Sequence, residues 1–99
     1  MVLVLIVERA PRGLRGELSR WLIEPKTGVF VGNLSAMVRE KLWERVCREP
    51  PPVAALLIHG AHTEQHFIIR THGDPTREII DHEGLQLVRI RTDRQHKRH

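Results

Sequence analysis

The chain has one cysteine, no tyrosine, two tryptophans and two phenylalanines in 99 residues. A lone cysteine, Cys47, excludes an intramolecular disulfide framework and any zinc centre built on thiolates. With 4% aromatic residues, few rings are available for stacking on unpaired bases, so stacking is a poor main mode of nucleic-acid recognition for this chain. No apolar run approaches the roughly 18 residues that a membrane span needs. Residues 2–7 are apolar, but no basic region precedes them and no small-residue cleavage site follows, so they do not read as a signal peptide. Gly-x-Gly-x-x-Gly, P-loop and Gly-x-Ser-x-Gly motifs are missing as well. At 99 residues the chain fits one domain, with no room for a cleft between two, which excludes a large dinucleotide-binding enzyme. The expectation is a soluble, cytoplasmic single domain.

Basic charge is what the sequence does have. Lys+Arg number 16 against 12 Asp+Glu, a formal net charge of +4. Thirteen of the sixteen are arginine, whose planar donor fork matches phosphate geometry.

The hydrophobic pattern predicts alternating elements. Residues 2–7 read as a strand apolar on both faces. Leu14, Leu18, Trp21 and Leu22 form one helical stripe, with Pro25 ending that helix near Glu24. Residues 28–32 form a short strand between glycines. Ser35 is a candidate N-cap for a second helix over about 36–49, carrying Val38, Leu42 and Val46 and closed by Pro50, Pro51 and Pro52. Residues 53–59 and 66–71 read as a hairpin, 73–77 as a loop, and 85–91 as an alternating edge or interface strand. Residues 1–92 form the domain, and 93–99 a basic, mobile tail. This order predicts an α+β, ferredoxin-like two-layer sandwich with both helices on one sheet face. The other face, left apolar, argues for a homodimer.

Three groups are candidates for chemistry. Glu8 ends the first strand and is a candidate oxygen ligand for Mg²⁺, especially if paired across a two-fold axis; the plain alternative is a solvated Glu beside Arg9. Arg9, Arg12 and Arg15, together with Arg77, can face a phosphate backbone, which favours duplex binding over single strands; the alternative is a solvated charged rim. His59, His62 and His66 surround one turn, but a strand-turn-strand reading scatters their rings and favours turn and rim histidines over a zinc site. Trp21 and Trp43 are expected in the core, and Cys47 buried or half-buried and unreactive.

Certain strings are more particular than this pattern. They are Leu-Arg-Gly-Glu-Leu-Ser-Arg-Trp-Leu at 14–22, Gly-Val-Phe-Val-Gly-Asn-Leu-Ser-Ala-Met-Val-Arg-Glu-Lys-Leu-Trp-Glu at 28–44, Thr-His-Gly at 71–73 and Asp-His-Glu-Gly-Leu-Gln-Leu-Val at 81–88. Together they resemble the Cas two family of CRISPR-associated proteins in its type I-E subtype. The resemblance implies a ferredoxin-like homodimer that bridges two dimers of the Cas one integrase and carries double-stranded DNA during spacer capture and integration. It also implies a Mg²⁺-dependent endonuclease as the alternative activity, because many relatives cut RNA or DNA. Their usual Asp at the end of strand one is matched here by Glu8. On the same resemblance, Arg15 and Arg77 fall on basic positions that contact duplex DNA. A third such position falls on Gly13, with Arg12 one step away, and a fourth on Thr76. Residues 85–92 match the segment that docks on the integrase. The remaining alternative, an unrelated RNA-binding ferredoxin-like dimer, would need aromatic residues on an open sheet face.

Overall fold

The computed structural model describes the backbone of residues 2–73, 77–82 and 85–90, and side chains from Val2 to Gly73 and at Gln86. The elements run β1 (Val2–Glu8), α1 (Arg12–Leu18), β2 (Ile23–Lys26), β3 (Val29–Asn33), α2 (Ala36–Cys47), β4 (Ala54–Gly60), β5 (Phe67–His72), β6 (Arg77–His82) and β7 (Leu85–Ile90). Five strands form an antiparallel sheet in the order β2-β3-β1-β4-β5, and β6 and β7 form a separate two-stranded sheet. The β1-α1-(β2-β3)-α2-β4 succession is the ferredoxin-like plan, and β5 widens it by one edge strand. The expected tail at 93–99 lies outside the described residues, as do residues 74–76, 83–84 and 91–92.

β1 is central because it pairs on both sides, with Leu5 opposite Phe30 in β3 and opposite Leu57 in β4. Directly opposed residues share a face. Leu5, Phe30 and Leu57 therefore point one way, together with Leu3, Val7 and Ala55. The helices close over this face. Leu14 and Leu18 of α1, Leu22, and Trp43 and Val46 of α2 join the same buried cluster, with Leu34 and Leu42 against it. The Ser35 hydroxyl caps α2 by accepting the Val38 N–H at 3.3 Å, as its sequence position predicts. Glu17 on α1 and Arg45 on α2 tie the two helices together at 2.9 Å.

The second face is apolar but incompletely covered. It carries Val4, Val31 and Ile58 in one row and Val29, Ile6 and Leu56 in another, with Val2 and Ile6 exposed. β1 is therefore buried on one side only within a single chain, not on both as its apolar run predicts.

Several other expectations are corrected. α1 stops at Leu18, six residues before Glu24, because the chain reverses through a turn and Ile23 pairs with Val31 as an edge strand. An edge position tolerates Pro25, which has no N–H to give a neighbour. Trp21 consequently leaves the helical stripe and is 54% exposed, whereas Trp43 is buried as expected. Residues 77–82 add a strand, so Arg77 opens β6 opposite Ile90 instead of closing a loop. Cys47 is exposed. Its thiol pKa is raised by desolvation, against the opposing pull of Arg70. His59 is a buried core residue on β4, with its Nδ1 2.9 Å from the Gly60 carbonyl, while His62 and His66 are exposed.

β6 and β7 dock on the outer edge of β5 through a reciprocal pair of glutamines. The Gln86 side chain accepts the Ile69 N–H at 2.8 Å and donates to the Ile69 carbonyl at 3.0 Å. Gln65 does the same for the Gln86 backbone, both bonds being 2.7 Å.

Candidate nucleic-acid interface

The site forms where β1 ends. Glu8 is the last strand residue, opposite Ala54. Arg9 then takes φ 58°, a left-handed conformation that breaks the strand and turns the chain towards α1. Pro11 sits at the N-cap with extended backbone, and its fixed φ suits a helix start. Arg12 and Arg15 follow at i and i+3, so they lie on neighbouring turns of one helix face.

Two shallow depressions flank this turn. One, of about 380 Å³, is bordered by Ile6, Glu8, Arg9, Arg15, Thr27 and Gly28. The other, of about 410 Å³, is bordered by Ala10, Arg12, Arg15, Gly16 and Ser19. Arg15 borders both. The structure thus brings Glu8, Arg12 and Arg15 to one end of the molecule, with Arg9 beside them. Arg77 is not among the described residues bordering either depression, and its side chain lies outside the described set, as does all of Thr76. Neither border includes an aromatic side chain among the described residues.

Glu24 belongs to this region too, although its place in the sequence does not mark it out. Its Oε2 accepts from Arg15 Nη2 at 2.9 Å and from the Gly28 N–H at 2.8 Å. Those interactions hold its carboxyl pKa below the usual value, the Gly28 N–H first and Arg15 after it, with partial desolvation opposing. The usable signal was Lys26-Thr-Gly-Val29, a two-residue link with glycine between short strands, which reads as a hairpin.

A Mg²⁺ ion fits poorly within one chain. Among the described residues that border the depression, Glu8 is the one carboxylate, and Arg9 and Arg15 border it too. Magnesium is usually held by one or two carboxylates together with substrate phosphates, and neighbouring cations oppose it. Among the described residues no group of three or more His, Cys, Asp and Glu side chains converges on a point. Nor is any helix among them long and apolar enough to cross a membrane.

The fold is a small ferredoxin-like α+β sandwich, with Arg9, Arg12 and Arg15 gathered where its central strand ends. Residues 1–87 match the family model described as CRISPR-associated protein (Cas_Cas2CT1978), and the chain belongs to that Cas two-like family. The membership supports a role in CRISPR adaptation.

Proposed function

We propose that the chain acts in CRISPR adaptation as a dimeric scaffold and duplex-DNA platform of the type I-E kind, bridging Cas one integrase dimers while a new spacer is captured and inserted. The observation that carries this reading is the pairing of Arg12 and Arg15 on neighbouring turns of α1, opening on depressions at the end of β1. Guanidiniums so spaced, with no aromatic residue between them, suit successive phosphates better than bases. A second copy laid on the apolar face of Val2, Val4, Ile6 and Val31 would cover it and double the basic set. Arg77 supplies a further phosphate contact, and residues 85–92 the surface for the integrase.

The test is binding of a fluorescently labelled mixed-sequence duplex by the Arg12→Ala, Arg15→Ala and Arg77→Ala variants across a salt series. Each change weakens binding about three- to tenfold at every sequence. The salt slope falls by about 0.9 for each phosphate that is no longer neutralised. Unchanged affinity and slope for Arg15→Ala would overturn the platform. Failure of the chain to co-purify with the integrase would overturn the bridge.

An endonuclease is the second reading, favoured by the position of Glu8 in the same depression as Arg15. It needs the Glu8 of another copy to complete a Mg²⁺ site. Glu8→Ala separates the two: lost Mg²⁺-dependent cleavage with intact spacer acquisition marks a real but dispensable nuclease, and loss of both removes the scaffold-only account.

A further inference from the structure

Arg15 is held in place from a different element. Glu24 comes from the edge strand β2, and its bond with Arg15 ties α1 to the β2–β3 turn. That turn is itself rigidly built. Gly28 has φ 82°, and its carbonyl accepts the Val7 N–H at 2.8 Å, joining the turn to the end of β1. The Glu24 carboxylate also receives the Gly28 N–H, so it is anchored to backbone on one side while it grips a guanidinium on the other. The grip uses one nitrogen, Nη2. The Arg15 side chain remains 42% exposed, against 19% for Glu24, and its remaining donors are left for an anion in the depression.

Resting on the platform reading above, we infer that Glu24 is a positioning residue for duplex binding, holding the Arg15 guanidinium towards the DNA backbone. A free arginine side chain loses rotamer freedom when it meets a phosphate. One already held by a backbone-anchored carboxylate loses less, and preorganisation of this kind raises affinity. The Glu24 charge also opposes a phosphate, and the gain from preorganising Arg15 outweighs that opposition.

The experiment is a double-mutant cycle on the full chain, read by binding of the same labelled duplex. Glu24→Ala weakens binding about two- to fivefold, the range for a partly exposed ion pair. Glu24→Gln, which keeps an acceptor for the Gly28 N–H, guards against a collapsed turn, and melting temperatures report folding of every variant. In the Arg15→Ala background the Glu24→Ala effect disappears, because Glu24 acts through that side chain. An equal loss in both backgrounds would reduce Glu24 to a holder of the turn and overturn the inference alone. Unchanged or tighter binding by Glu24→Ala and Glu24→Gln would overturn it as well, marking the carboxylate as a competitor of phosphate. A neutral Arg15→Ala would remove the platform reading, and the inference with it.

Discussion

The Arg70 guanidinium lies over the ring of Trp43, its central carbon 5.5 Å from the ring centroid, and its Nη1 donates to Glu40 at 2.6 Å. Arg39 reaches the same Glu40 oxygen at 2.9 Å. A residue of β5 is thereby locked to α2 by a cation–π interaction and a charge-assisted hydrogen bond at once. The Arg70 hydrogen bond is the main cause that brings the Glu40 pKa down from 4.5 to about 2, with Arg39 adding to it and desolvation opposing.

From this lock follows a pH dependence. The folded-state pKa of Glu40 is depressed, so its stabilisation is fully present above about pH 4.5 and is lost as pH falls towards 2. Because the Glu40 side chain is 42% exposed, solvent screening limits the contribution to ~1 kcal/mol. Chemical denaturation between pH 5 and about pH 2.5 should show Glu40→Gln less stable than the parent at the upper end, with the two curves converging at the lower end. Parallel curves would disprove the assignment.

The two tryptophans should respond unequally to truncation. Trp43, 8% exposed in the helix-side core, should cost about 3–5 kcal/mol as Trp43→Ala. Trp21, 54% exposed, should cost within about 0.5 kcal/mol as Trp21→Ala. Urea midpoints measure both. Fluorescence adds a check: the Trp43→Phe protein retains Trp21 alone and should emit at a solvent-like wavelength.

Two glycines make a matched pair. A Cβ at Gly28 would meet the Val7 carbonyl oxygen at 2.8 Å, and φ is 82° there. Gly28→Ala should therefore destabilise by ~2 kcal/mol or more, backbone strain alone accounting for about 1–2. A Cβ at Gly13, inside α1, meets nothing within 4 Å, so Gly13→Ala should stabilise by about 0.5–1 kcal/mol. Thermal unfolding of the two variants decides both, and equal shifts would contradict the geometry.

The helix stripes were readable in part: Leu14, Leu18 and Leu22 of the first and Val46 of the second reach the buried cluster, with Leu42 against it, whereas Trp21 is exposed and Val38 does not join. The strands at 2–7, 28–32, 53–59 and 66–71 were readable from apolar runs bounded by Gly and Pro. β2 escaped because Ile23 and Glu24 continue the spacing of α1, and only pairing with β3 shows that the chain has turned. β6 escaped because Arg-Glu-Ile-Ile-Asp-His carries two adjacent apolar residues and no alternation. The site was legible to the same extent. Glu8, Arg12 and Arg15 are close in sequence, so local geometry gathers them. Glu24 reaches Arg15 across nine positions through a hairpin, and no local spacing encodes that.

An outer sheet strand is an open template, because its free N–H and C=O groups invite a strand from another molecule to pair, the first step towards fibres. At Ile69 that invitation is withdrawn by a side chain: the amide of Gln86 occupies the donor and the acceptor that a foreign strand would use. One glutamine thus serves as a stopper on the growing edge. Replacing it with leucine would leave the fold's core untouched while freeing the Ile69 donor and acceptor for a strand of another copy.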